Sequence, residues 1–174
     1  MIAVLVGRHG AGKSHLARLL GTCGWGIRFK QAYLEQLHRT SADQGDWVTW
    51  YRNRYKSAGP YEVMNELLTV GLLTNKAGPM VLDSIHNLEE WRAIKDREDS
   101  AVLVSVVAPH EVRSKRNSPG DARLDINRVH YWHEGNFGEC LMADVEWTFQ
   151  GTVPDEAQVS NIYMFTRWLS SRDP

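Results

Sequence analysis

Long apolar runs, a cysteine framework and a surplus of charge are all missing from this 174-residue chain. No segment approaches the roughly 20 apolar residues that a membrane span needs, so no membrane partner is expected. The apolar run at residues 1–6 is too short for the core of a signal peptide. With the fold beginning at residue 2, no targeting segment is expected ahead of it. Cys23 and Cys140 are the two cysteines, and they show neither C-x-x-C nor metal-ligand spacing. That excludes a disulfide scaffold and leaves two reduced thiols in a cytoplasmic protein as the expectation. A formal net charge of -1 removes any global attraction to nucleic acid or anionic lipid, although a local basic cleft stays compatible with it. The seven histidines form no metal signature, since His130 and His133 stand three apart without a third ligand. Repeats, low-complexity tracts and linkers are absent too, so residues 1–174 read as a single domain large enough to bury a core.

What is present starts at Gly7. Residues 7–14, Gly-Arg-His-Gly-Ala-Gly-Lys-Ser, satisfy G-x-x-x-x-G-K-[ST]. They follow an apolar run with the character of a strand and precede residues 15–20, which have amphipathic helical spacing. In that context the backbone N–H groups of Gly7, His9, Gly10, Ala11 and Gly12 form a cradle for phosphates. The helix N-terminus adds its partial positive charge. Lys13 would neutralise β/γ oxygens, and the Ser14 hydroxyl would ligate Mg²⁺. A glycine turn that merely joins a strand to a helix is the competing reading, and the complete motif disfavours it. The chain is expected to bind a nucleoside triphosphate.

Downstream, the first helix should end near Gly21, and residues 26–29 suggest a short second strand. Helical stretches are expected at 32–39 and 46–55. Pro60 is placed to open another over 61–75, where Val63, Met64, Leu67, Leu68 and Leu72 recur at helical spacing. A strand at 80–84 ends in Asp83. A helix capped by Asn87 runs over 88–95, and the β-branched run 101–107 reads as a strand buried on both faces. A helix at 109–116, an interrupted helical pattern at 125–139, a strand at 145–149 and a helix at 155–170 complete the chain. Strands alternating with helices imply an α/β three-layer sandwich of the P-loop type, with a mostly parallel five-stranded sheet. Ligands of such sheets bind beyond the carboxyl ends of the strands, where both the glycine loop and Asp83 fall. An acid there holds Mg²⁺ or accepts a proton from a nucleophile; the competing reading is a turn-capping aspartate.

From Asp83 onward the residues read Asp-Ser-Ile-His-Asn-Leu-Glu-Glu, ending at Glu90. This resembles the D-G-[IV]-R-[NS]-x-x-E stretch of archaeal nucleotide-kinase-like proteins, which are similar to dephospho-CoA kinases and adenylate kinases. Ala58-Gly59-Pro60, the A-x-x-x-x-R-x-x-R spacing of Ala108, Arg113 and Arg116, and Ala143-Asp144 follow the same order. The resemblance implies an ATP-dependent kinase with ATP and Mg²⁺ as cofactors, an acceptor-binding helical segment at about 31–75 and a small lid at about 113–130. It also implies that Arg113 helps bind the nucleotide and that Arg116 and Arg123 act on the transferring phosphoryl group with Lys13 and Asp83. Guanidinium groups suit that task through planar donors and a permanent charge.

The departures from the family pattern concern the acceptor. Ser84 and His86 replace its glycine and arginine, and no acid follows the second strand until Glu35. An alcohol acceptor would leave Asp83 or Glu35 as the base, whereas a phosphate acceptor needs none. Tyr33, Trp47, Trp50, Tyr51 and Tyr55 interleave with Arg39, Arg52, Arg54 and Lys56. Rings stack on bases and arginines hold phosphates, so Glu35, Trp47, Tyr51 and Arg54 are the candidate substrate-binding residues. Packing of these rings on a core is an equal alternative. A GTPase is disfavoured because the N-K-x-D pattern at Asn75-Lys76 meets Gly78. The leading expectation is phosphoryl transfer from ATP to a nucleotide or nucleotide-like small molecule. A kinase for a modified base in DNA and a non-catalytic ATP switch are the alternatives, with DNA a disfavoured partner. The oligomeric state stays open.

Overall fold

The structure, a computed structural model, describes residues 1–41, 45–74, 78–83, 85–116 and 144–172. Five strands, β1 (Ile2–Val6), β2 (Gly26–Phe29), β3 (Met80–Asp83), β4 (Ala101–Val107) and β5 (Val145–Gln150), form one sheet in the order β2-β3-β1-β4-β5. Every pairing is parallel, so the expected mostly parallel sheet is wholly so among the described residues. The described helices are α1 (Lys13–Thr22), α2 (Lys30–Thr40), α3 (Trp47–Ala58), α4 (Pro60–Thr69), α5 (Leu88–Arg97), α6 (His110–Lys115) and α7 (Asp155–Ser170).

Alternation along the strands sorts the core into two layers. Ile2, Val4, Val6, Leu82 and Leu103 pack under α2 to α5, with Leu34, Met64, Leu67 and Ile94. Ala3, Leu5, Val81, Val102 and Val104 face α1 and α7, against Leu16, Leu20, Phe149 and Phe165. The central strand β1 is buried throughout because helices cover both its faces, and it reads accordingly as an unbroken apolar run.

Two helices end in the same way, α1 within a residue of the expected Gly21 and α4 short of its expected end. Helix α1 passes Gly21 and stops one residue later. Gly24 (φ 90°) turns the chain there, and the Trp25 N–H reaches the Leu20 carbonyl at 3.1 Å. Helix α4 stops at Thr69, short of residue 75, with Gly71 (φ 102°) at the same position and the Leu72 N–H on the Leu67 carbonyl at 2.9 Å. Both are glycine-terminated ends in which the residue after the glycine returns an apolar side chain to the core. Leu72 is therefore buried as its spacing suggests, but from a turn. Cys23 carries a free thiol, and Cys140 lies outside the described residues, as do Ser84, the expected helix at 125–139 and the lid beyond Arg116. None of the described helices is long and apolar enough to cross a membrane.

Candidate active site

The loop between β1 and α1 bends through glycines. Gly7, Gly10 and Gly12 have φ of 150°, 75° and 103°, values that side chains disfavour. A Cβ on Gly7 would lie 2.3 Å from the Val106 carbonyl oxygen, so β4 leaves no room there for another residue. Helix α1 starts without a capping side chain and without an acid in its first turn. Helix α5, by contrast, is capped by Asn87 and carries Glu89 and Glu90 in that turn. The bare amino end of α1 leaves its first N–H groups and its dipole directed at the loop, which fits a phosphate group. Lys13 folds back over the loop, its Nζ donating to the carbonyls of Gly7 (2.8 Å) and Arg8 (3.2 Å). The neighbouring Ser14 is exposed.

Asp83 closes β3 in register with Leu5 of β1, and the Ile85 N–H continues the ladder to the Leu5 carbonyl at 3.2 Å. Alternation puts Asp83 on the face of Val81 and Leu5, which is the face α1 covers. Asp83 is buried, 8% exposed, at the end of the strand next to the one that leads into the loop and on to Lys13 and Ser14. Among the described residues no cluster of three His, Cys, Asp or Glu side chains forms a metal cage. A Mg²⁺ held by one or two protein oxygens and completed by phosphates and water needs none, and Ser14 with Asp83 fits that kind of donor set.

Helix α6 sends two arginines onto the loop. Arg113 is buried; its Nε donates to the Ala108 carbonyl at 3.1 Å and its Nη1 to the His9 carbonyl at 3.5 Å. Burial first, and the Arg8 charge second, push its pKa below the ordinary arginine value. Arg116 reaches the Gly10 carbonyl at 3.2 Å and the Gly151 carbonyl at 2.6 Å. Gly151, just past β5, comes so close that a Cβ there would stand 1.8 Å from the Ala11 carbonyl oxygen. Loop 7–14, the end of α6 and the end of β5 are thus in mutual contact. Arg123 lies outside the described residues.

The four candidate substrate-binding residues have partners on α2 to α4. Glu35 accepts from Gln31 at 2.9 Å and lies 3.9 Å from Arg39, both on its own helix. Tyr51 packs on the core and against Tyr55, with ring centroids 4.3 Å apart, and Trp47 tilts onto Tyr51 at 6.4 Å. Arg54 pairs with Glu66 of α4. Tyr51 thus meets the core, while Trp47 stays half-buried beside it. Sequence reasoning missed a buried charged group nearby: the Lys30 Nζ lies 2.8 Å from Glu90 Oε1, and the Tyr55 hydroxyl donates to the same oxygen. A cation beginning a helix right after a strand, and an acid amid the apolar positions of α5, were the available signals.

With the geometry in hand, comparison with known proteins decides the architecture. No family model and no curated sequence matches the chain. Among solved structures, the shikimate kinase of Acinetobacter baumannii in complex with shikimate superposes with a TM-score of 0.62. It is 16% identical, with 99% of this chain and 94% of that chain covered. The shikimate kinase of Aquifex aeolicus aligns at a TM-score of 0.55 and 16% identity, over 99% of both chains. A sugar kinase from a Janibacter species gives 0.55 and 16%, over 95% and 94%. The fold is that of the P-loop kinases. These structures show the P-loop kinase fold and not the dephospho-CoA kinase or adenylate kinase likeness in particular. Within such a fold, the rim formed by the glycine loop, Asp83, Arg116 and Gly151 is the candidate active site.

Proposed function

We propose that the protein transfers a phosphoryl group from ATP to a small molecule. The observation carrying this reading is the placement of Asp83 in register beside the strand that feeds the glycine loop, on the face of α1 where Lys13 and Ser14 start. The loop amides, Lys13 and Arg113 would hold the triphosphate, and Ser14 and Asp83 would hold Mg²⁺, which supplies positive charge at the phosphates. Arg116, and Arg123 on a lid at about 113–130, would complete the clamp, with residues 1–174 acting as one domain. Glu35 is engaged along its own helix, which favours Asp83 as the acceptor of a hydroxyl proton. An alcohol acceptor also agrees with the shikimate and sugar named for the neighbours. A nucleotide-like acceptor rests on the rings of α3, where Trp47 and Trp50 are half-buried.

ADP release measured with a panel of polyols, hydroxy acids, nucleosides, nucleotides, coenzyme precursors and oligonucleotides tests the reading. One class should stimulate release, and Lys13→Ala and Asp83→Asn should each abolish that stimulation. Tight ATP binding with no stimulation by any acceptor would instead establish a nucleotide-dependent switch.

A further inference from the structure

Glu90 is fully buried, and its carboxylate gathers three donors from three parts of the fold. Oε1 accepts from the Lys30 Nζ at 2.8 Å and from the Tyr55 hydroxyl, while Oε2 accepts from the His86 backbone N–H at 2.6 Å. Lys30, 4% exposed, is the first residue after β2, and β2 ends at Phe29 in register with Asp83. Tyr55 comes from α3, and His86 belongs to the short connection by which the chain leaves Asp83 for α5. Glu90 therefore fastens together the segments that leave the two adjacent strand ends, one of which carries Asp83.

We propose that Glu90, with Lys30 and Tyr55, is a positioning element for Asp83, fixing the 85–87 connection by its bond to the His86 N–H. This rests on the kinase reading given above. Among the described residues no hydrogen bond joins the carboxylate to the glycine loop, and the action proposed for it is through backbone geometry. Ile85, wholly buried and bonded to Leu5, holds the first half of the connection, and Glu90 holds the second. Asp83 has no side-chain hydrogen-bond partner among the described residues, and its backbone is held in register between Leu5 of β1 and Phe29 of β2. A buried ion pair adds little net stability compared with apolar residues of similar volume, and one of its attested uses is to specify conformation. With Tyr55, this pair joins α2, α3 and α5 next to the strand end that carries Asp83, where conformation matters for a reacting group. A displacement of about 1 Å at such a group costs on the order of 10²-fold in rate.

Two variants separate geometry from charge. Lys30→Met/Tyr55→Phe/Glu90→Leu removes the polar groups of the network and with them the Glu90 acceptor of the His86 N–H. Lys30→Met/Glu90→Gln removes both charges and keeps a side-chain carbonyl for that N–H. The triple variant should exchange its His86 amide roughly tenfold faster or more. Its kcat should fall by about ten- to a hundredfold while the KM for ATP stays within about twofold. The double variant should keep His86 protected and hold kcat within about threefold of wild type. A folded triple variant with unchanged His86 exchange and unchanged kcat overturns the proposal. Loss of kcat in a double variant whose His86 is still protected overturns it as well, and this arm decides alone if the triple variant does not fold. Should wild type show no acceptor-stimulated ADP release, the kinase reading fails by itself. Exchange at His86 then still decides whether Glu90 anchors the connection.

Discussion

In the loop between β1 and α1 the groups available to a ligand are backbone amides, held by glycines at positive φ, one of which, Gly7, has no room for a Cβ. In α2 to α4 the candidate groups are side chains, and these are already occupied by one another: Arg54 by Glu66, Glu35 by Gln31, Tyr51 by Tyr55. The difference teaches how each half can change. A backbone cradle tolerates almost no substitution at its glycines, whereas a helical wall of mutually satisfied side chains can be exchanged pair by pair with the fold intact. The proposed donor half is thus written in a short motif, while the proposed acceptor half is written in pairings between side chains.

The sharpest test of that division contrasts Lys13 and Asp83. Asp83→Asn should lower acceptor-dependent turnover by about 10²- to 10⁴-fold, the span over which positioned acid–base groups contribute. Its ATP affinity without Mg²⁺ should stay near wild type. Lys13→Ala should weaken ATP itself, and a loss confined to the acceptor KM would break the assignment of this residue to the donor half. Gly151→Ala comes next. Its Cβ would press on the Ala11 carbonyl, a backbone atom that cannot swing aside, so an overpacking cost of about 1–3 kcal/mol is expected. Calorimetric titration should show ATP binding weakened accordingly; a wild-type dissociation constant would mean that the end of β5 does not shape the loop.

How much of this was legible follows from where each signal resides. The loop was readable because G-x-x-x-x-G-K-[ST] encodes its own geometry within eight residues, and Asn87 was readable as a cap because its partner, the Glu90 N–H, lies three residues on. Gly151 carried no local mark, for its close neighbour is Ala11, 140 positions earlier. Lys30 and Glu90 are 60 apart, and only the parallel order β2-β3-β1 brings their elements together. The helix over 61–75 was over-read because apolar spacing persists through Leu72, although Gly71 had already turned the chain. Periodicity reports which side chains are buried; it does not distinguish a last helical turn from a turn that returns a leucine to the same core.

The Tyr55 phenol ties α3 to α5 through Glu90 and supplies a smaller, pH-dependent effect. Burial first, and then the Glu90 charge, raise its pKa well above the ordinary tyrosine value near 10. The folded state therefore favours the protonated phenol. Its contribution to stability is fully present below about pH 10 and is lost as pH rises beyond it, because the unfolded chain then releases the proton more readily. Thermal melts should show wild type losing stability above about pH 10 more steeply than Tyr55→Phe. Equal slopes would remove Tyr55 from the buried network.

The smallest effect is expected where the acceptor half meets solvent. Arg54 and Glu66 are 42% and 36% exposed, so their ion pair is screened, and Arg54→Ala should cost no more than about 1 kcal/mol of stability. That small cost makes the residue informative. If Arg54 only joins α3 to α4, Arg54→Ala and Glu66→Ala should shift the melting temperature alike and leave the acceptor KM unchanged. An anionic acceptor that draws Arg54 away from Glu66 predicts an asymmetry instead: Arg54→Ala raises that KM, while Glu66→Ala, by releasing the guanidinium, leaves it equal or lowers it. A symmetric pair of variants would confine Arg54 to packing, and the search for acceptor contacts would then move from the α3–α4 seam to the rim beside Asp83.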